Sequence, residues 1–320
     1  MPVSVTDANG QPVLGLNAKD FRIDEESKQQ TIDSLGNANV VPLEIALLFD
    51  VSASTDTMFK FEQETAAKFL REVMRSNDRA TIFTVGTRGV LVQSRDTSEK
   101  SMESVRSIAP TKEQTAFYDS VRVAADYLKK NTPPGARKVI VIISDGEDTN
   151  SEGIIRAIWN AERKITDDVQ GERLRDLRVK ARDNAKIAEQ SKVLKSLQDA
   201  DTVFYSINPG GSSYQLNKIS VFGQQNMQRF ADETGGTAFL PKFGPIDTKD
   251  QYQNANNVRR NQELLERIFR QLANELRSQY LIQYYSESDF PLNRYVKLDV
   301  RLQNRADLRV RARQGYYVKN

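Results

Sequence analysis

Five residues with oxygen donors are spaced so that a folded chain could gather them. Asp50, Ser52 and Ser54 occupy every second position of one stretch, Thr115 stands just ahead of a helical pattern, and Asp145 lies in the run Ser144-Asp145-Gly146-Glu147-Asp148-Thr149. Carboxylates and hydroxyls are hard donors and select hard divalent cations. The chain has no histidine and no cysteine, which removes imidazole and thiolate metal sites, serine-histidine triads, thiol nucleophiles and disulfides. Mg²⁺ is therefore the first expectation, with Mn²⁺ or Ca²⁺ as alternatives. An enzyme built on these residues would need Asp or Glu as its base and the cation as Lewis acid.

Taken singly, each stretch has an ordinary explanation. Asp-x-Ser-x-Ser can be a polar turn that caps the next helix, Thr115 can be an N-cap, and Asp145-Gly146 can be a plain turn. Their joint placement points further. Leu47-Leu48-Phe49 reads as a buried strand emptying into the Asp50 loop, and Val139 to Ile143 as another that empties into the Asp145 loop. Loops leaving the carboxyl ends of parallel strands meet where open α/β sheets bind ligands.

The elements that position these loops follow from the apolar pattern. Continuous runs at Ile45 to Phe49, Ile82 to Val85, Val139 to Ile143, Val203 to Ile207 and Ala238 to Leu240 predict strands buried on both faces. Helical patterns lie between them at Met58 to Met74, Met102 to Ile108, Ala116 to Leu128 and Leu264 to Leu276. The fold class is thus α/β, a doubly wound and mostly parallel sheet. Alternation at Val3 and Val5, at Phe21 and Ile23, at Val296, Leu298 and Val300, and at Leu308, Val310 and Ala312 predicts half-buried antiparallel strands at both ends. Neither end can close a core alone, so residues 1–38 and 279–320 are expected to form one small β-sandwich around the α/β domain of residues 39–278. Between Asp148 and Asp201 the connection is too long for one crossover helix; a projecting, charged helical insertion at about 152–200, turning near Gly171, is predicted. Gly210-Gly211 and Gly235-Gly236 read as turns, since neither is followed by the Lys and Ser or Thr of a phosphate loop.

Forty-six basic and 43 acidic residues are interspersed, for a formal charge of +3, so no nucleic-acid partner is expected. No apolar run is long enough for a membrane span, and the first residues lack a signal-peptide pattern. The chain opens abruptly inside a strand pattern, as a segment trimmed from a longer precursor would.

The three stretches Asp50-Val51-Ser52-Ala53-Ser54, Thr115-Ala116-Phe117-Tyr118-Asp119 and Ser144-Asp145-Gly146-Glu147-Asp148-Thr149 together resemble the metal-ion-dependent adhesion site of the von Willebrand factor A domain, a likeness spanning about 240 residues. Val5-Thr6-Asp7, Asp20-Phe21 and Arg313-Gln314-Gly315-Tyr316 look like the flanks of the related bacterial family frequent in acidobacteria. Two departures are Glu113-Gln114, where many members have Gly-Gly, and the long connection after Asp148. The resemblance implies that Ser52 and Ser54 coordinate the cation directly, Thr115 directly or through water, and Asp50 and Asp145 largely through waters. One coordination position is then left for an Asp or Glu of a partner protein. Glu147, Asp148, Tyr118 and Arg88 are expected around the site. The implied function is cation-dependent adhesion, without catalysis and in an exported protein. The alternatives are a scaffold that binds or oligomerises through the charged insertion, and a metal-dependent hydrolase.

Overall fold

The alternation around Val3 and Val5 becomes strand β1 (Pro2–Thr6), followed by β2 (Phe21–Glu25), β3 (Lys28–Gln30) and β4 (Ile32–Asn37). Then come β5 (Leu43–Asp50), α1 (Asp56–Val73), β6 (Arg79–Val85), β7 (Gly89–Asp96), α2 (Ser98–Ser107), α3 (Phe117–Asn131) and β8 (Arg137–Ile143). They are followed by α4 (Glu152–Glu162), α5 (Glu172–Asp199), β9 (Thr202–Ile207), α6 (Lys218–Thr234), β10 (Ala238–Phe239) and α7 (Gln251–Ser278). The chain closes with β11 (Tyr280–Tyr284), β12 (Tyr295–Leu302), β13 (Arg309–Ala312) and β14 (Gly315–Tyr317). The computed structural model describes residues 1–52, 56–111, 113–163, 171–208, 218–245 and 249–319. Ser54 and the Gly210-Gly211 pair lie outside the described residues.

A six-stranded sheet in the order β10-β9-β8-β5-β6-β7 forms the centre. Its pairs are parallel except β6 with β7, which is antiparallel. Strand β5 explains the layering. Leu43, Ile45, Leu47 and Phe49 enter one apolar cluster with side chains of α1, α2 and α7, while Ala46 and Leu48 enter a second with α3, α5 and α6. A strand buried on both faces has no polar side to show, which is why it reads as a continuous apolar run. Glu44 is the exception on β5. It is buried and accepts two bonds from the Arg95 guanidinium of β7, at 2.8 and 2.6 Å.

Two four-stranded antiparallel sheets, β13-β1-β11-β4 and β14-β12-β2-β3, are drawn from the two ends of the chain. They share a core that includes Val3, Val5, Phe21, Ile23, Ile282 and Leu298. Helix α7 runs directly into β11, and a buried polar network fastens that junction to the central sheet. Glu275 of α7 accepts from Ser4 of β1, Tyr205 of β9 and Thr237, at 3.3, 3.2 and 3.0 Å. Gln279 donates to the Ser4 and Tyr205 hydroxyls and accepts from Arg137 of β8. Burial raises the Glu275 carboxyl, and these donors oppose the rise.

The long connection after β8 departs from the prediction in one respect. Two helices are present, and Gly171 at the start of α5 has φ +61. Yet α5 does not simply project. Its second half buries Ala185, Val193, Leu194 and Leu197 in the core, so it serves as the crossover helix that returns the chain to β9. Among the described residues, no helix is long and apolar enough to cross a membrane. Gly235, with φ +83, makes the turn between α6 and β10.

Candidate metal centre

Strands β5 and β8 are neighbours, and the chain leaves their carboxyl ends for opposite sides of the sheet, which opens a crevice between them. Asp50 ends β5 and is held from three directions. Its Oδ1 accepts from the Ser52 N–H at 3.0 Å and the Ser52 hydroxyl at 2.7 Å, and its Oδ2 accepts from the Ser144 hydroxyl at 2.6 Å. Ser144 in turn accepts from the Gly146 N–H at 3.1 Å. Asp145 Oδ1 accepts from the Glu147 N–H at 2.9 Å, an Asx-turn that fixes its carboxyl. The β5 and β8 loops are thus one hydrogen-bonded unit.

Thr115 joins this unit through its backbone. Its carbonyl accepts from the N–H groups of Thr149 and Asn150, both at 2.9 Å, and its N–H donates to the Thr149 hydroxyl at 3.1 Å. On the other side Ala116 N–H donates to the Gly86 carbonyl at 2.7 Å, and the Thr87 hydroxyl bonds the Glu113 carboxylate at 3.2 Å. The loop carrying Thr115 is therefore pinned to the turn after β6 and to the loop after β8. Glu113, in place of a glycine, contributes a bond of its own.

The electrostatics are lopsided. Burial pushes the Asp145 carboxyl up to about 6, and the neighbouring charges of Asp50 and Glu147 add to the rise. Asp50 is also raised by burial, although the hydroxyls of Ser144 and Ser52 hold it down. Glu62 of α1, itself buried, is pushed up to about 8 by burial and by the charge of Asp50. No lysine or arginine is among the principal influences on any of these three acids. Negative charge held in a crevice by hydroxyls and backbone N–H groups, without a cationic side chain, fits a small hard cation. The donor set is chiefly hydroxyl: among the described residues, no three acidic side chains gather as a metal-binding cluster.

The raised acids carry a sign for stability. A carboxyl whose folded pKa exceeds its unfolded value binds its proton more tightly in the folded state, so its contribution is lost as pH rises through the folded pKa. From the ordinary values of 3.8 and 4.5, Asp145 and Glu62 set a window from about pH 4 to about pH 8. In chelator, the melting temperature is expected to fall across that window. Added Mg²⁺ should restore more at pH 8 than at pH 5, and a chelator series that is flat with pH would contradict this.

Two glycines bring α6 against the Asp145 loop. Gly146 has φ +76, and a Cβ there would sit 2.6 Å from the Gly223 carbonyl oxygen; a Cβ on Gly223 would lie 2.7 Å from the Gly146 carbonyl carbon. Gly223→Ala must therefore displace the helix or the loop. We expect a loss of about 1–3 kcal/mol, typical of an overpacked site, with weaker Mg²⁺ binding. Thermal melts and calorimetry on this variant would check both.

Of the predicted residues, Asp50, Ser52, Thr115 and Asp145 lie on these linked loops, and Ser54 lies outside the described residues. Asp148 and Tyr118 do not ring the site. Both are buried, and Asp148 instead accepts from the Tyr118 N–H at 2.9 Å and from Ser151, joining the start of α3 to the β8 loop. Tyr118 turns inward to Asn226. Arg88 is exposed at the β6–β7 turn. Glu62 was not anticipated, because a glutamate within a helix reads as a solvated residue until the fold places it beside Asp50.

Residues 45–147 match the family model of the von Willebrand factor type A domain. A search of curated proteins finds no match. Among solved structures, the chain is similar to a von Willebrand factor type A protein from Catenulispora acidiphila, with 11% identity over 82% of this chain and 51% of that one and a TM-score of 0.44. It is also similar to the PilB minor pilin from Streptococcus sanguinis, with 12% identity over 75% and 63% and a TM-score of 0.47. An aerotolerance-related membrane protein from Bacteroides fragilis has 14% identity over 69% and 98%, with a TM-score of 0.37. The likeness to the family rests on the sequence match over residues 45–147.

Proposed function

From the match of residues 45–147 to the von Willebrand factor type A domain, we propose that this chain is a cation-dependent protein-binding module. In this reading Asp50, Ser52, Thr115 and Asp145, with Ser54 beside them, hold Mg²⁺. Bound there, Mg²⁺ supplies an electrophilic position for an anionic oxygen, and the partner offers the carboxylate of an Asp or Glu. The observation that carries the reading is the hydrogen-bonded unit at the strand-exit crevice, in which Asp50 accepts from Ser52 and Ser144 while Thr115 is bonded to Thr149 and Asn150 of the Asp145 loop. Asp50 keeps Ser52 and Ser144 oriented, while the turn at Gly146 holds the Asp145 carboxyl at the crevice. An otherwise neutral peptide bearing a single Asp, without alternating acidic and apolar residues, titrated in Mg²⁺ and in chelator, tests this. Binding only in Mg²⁺ supports the proposal, and equal binding in chelator overturns it.

One observation favours a second reading, in which the charged helices do the binding. Trp159 of α4, the chain's single tryptophan, is 66% exposed, and Ile187 of α5 is 57% exposed. A partner captured by wild type and by Asp50→Asn, but lost with Trp159→Ala, would select that scaffold reading. An exported location is part of the proposal, as the resemblance of the flanking strands implies. Fractionation of cells expressing a tagged full-length protein checks it.

A further inference from the structure

Two strand edges face an open groove of about 870 Å³ at the end of the molecule opposite the candidate metal centre. Strand β13 ends its sheet and pairs only with β1. The Val5 carbonyl accepts from Val13 at 2.9 Å, on the side of β1 away from β13. Val5 and Val310 are therefore a non-hydrogen-bonded pair, and the Val310 N–H and C=O point out of the sheet into the groove.

Strand β12 has the same deficiency on its own sheet. It pairs with β14 only over Tyr295, Val296 and Lys297, and Leu298 N–H adds a bond to the Gln314 carbonyl at 2.8 Å. Beyond that point β2 covers one side of β12, while by alternation the Val300 backbone groups face the uncovered side. Val300 and Val310 both line the groove.

The side chains around these edges are unbalanced in charge. Arg22, Lys297, Arg301, Arg309, Arg311 and Arg313 line the groove with only three acids. Asp24 is held by Arg22 and Arg301 at 2.9 and 2.6 Å, and Arg313 is held by Asp201 at 2.5 Å. Among the described residues, Lys297, Arg309 and Arg311 have no ion-pair partner within contact distance, although the charge of Arg311 is felt by the buried Glu275 carboxyl. On β13 the basic residues alternate with Val310 and Ala312, which pack toward the apolar core. Unpaired backbone with alternating pockets is the arrangement by which a sheet edge accepts an added strand.

The geometry points to a peptide-binding groove that takes an extended segment of a partner protein, in which Asp or Glu alternates with Val, Ile or Leu. The backbone of the segment pairs with Val310, short of Ala312 and Arg313, whose backbone the turn at Gly235 covers; its acidic side chains lie beside Arg309 and Arg311, and its apolar ones face the side of Val310. A second copy of β13 fits poorly, because edge-to-edge pairing would set arginine against arginine. The site is separate from the proposed cation site, so its binding is independent of Mg²⁺.

The test uses the full chain and a labelled peptide of alternating Glu and Val, followed by fluorescence anisotropy in chelator. Its controls are an isomer with the glutamates and valines in two blocks and a single-stranded oligonucleotide of equal charge. Binding at least tenfold tighter than either control is expected, with a loss of at least tenfold in the double variant Arg309→Glu, Arg311→Glu. Val310→Pro removes the outward N–H and should also weaken binding at least tenfold while circular dichroism stays native. Equal binding of the block isomer or the oligonucleotide, or an affinity unchanged by the charge reversal in a folded double variant, overturns the proposal.

Discussion

Asp50→Asn is expected to lower Mg²⁺ affinity by at least about 100-fold and, in chelator at pH 8, to leave the protein as stable as wild type or more so. A unit charge removed from a few ångströms is worth about 3–4 kcal/mol at an effective dielectric near 20, which corresponds to two or more orders of magnitude in affinity. The stability arm has the opposite sign. Without a cation, the buried Asp50 carboxyl is an uncompensated charge whose pKa burial raises, and a neutral amide of the same shape removes that cost. The amide can still accept from Ser52 and can donate toward the Ser144 oxygen, so the loop path should be kept. Calorimetry with Mg²⁺ and thermal melts in chelator check the two arms. Unchanged affinity would remove Asp50 from the cation site, and a large loss of stability in chelator would mean that its role is to brace the loops.

Arg277→Ala is expected to cost about 3–5 kcal/mol of unfolding free energy, the penalty for stripping one partner from a buried pair. Arg277, near the end of α7, donates to the Val73 carbonyl at 2.9 Å and pairs with Asp78, both groups little exposed. Asp78 also accepts from the N–H groups of Leu43 and Arg75, at 2.8 and 2.7 Å. The pair therefore ties the last helix to the start of β5 and the end of α1, close to where α7 enters β11. Asp78→Ala should cost at least as much, because it also leaves the N–H groups of Leu43 and Arg75 without their acceptor. Denaturant unfolding of both variants measures this, and a cost under about 1 kcal/mol for Arg277→Ala would show the pair behaving as an ordinary surface contact.

The parts of the fold legible in the sequence are those with an unbroken apolar run. The predicted strands correspond to β5, β6, β8, β9 and β10, and the α/β class holds. Strand β7 does not read as a buried strand, because it is an edge with exposed Val90, Leu91 and Val92, bounded on one side only by β6. The inner half of α5 was hidden for another reason. Lys186, Glu189, Gln190 and Gln198 are buried along with its apolar residues, so no clean stripe separates the core face from the solvent face. At the candidate site, Asp50, Ser52 and Asp145 were visible because they sit within a few residues of strand ends. Ser144 carries no signal of its own beyond its motif, because its bond to Asp50 spans 94 residues of sequence. Glu62 carries no local signal at all; only the packing of α1 on β5 brings its carboxyl near Asp50.

The most direct measurement is diffraction from crystals of the full chain grown in MnCl₂, with data collected above the manganese absorption edge. One anomalous peak is predicted, enclosed by the Asp50, Ser52, Thr115 and Asp145 side chains and absent from crystals of Asp50→Asn grown in the same solution. Ordered loops without a peak, or a peak elsewhere with this crevice filled by water, would contradict the account.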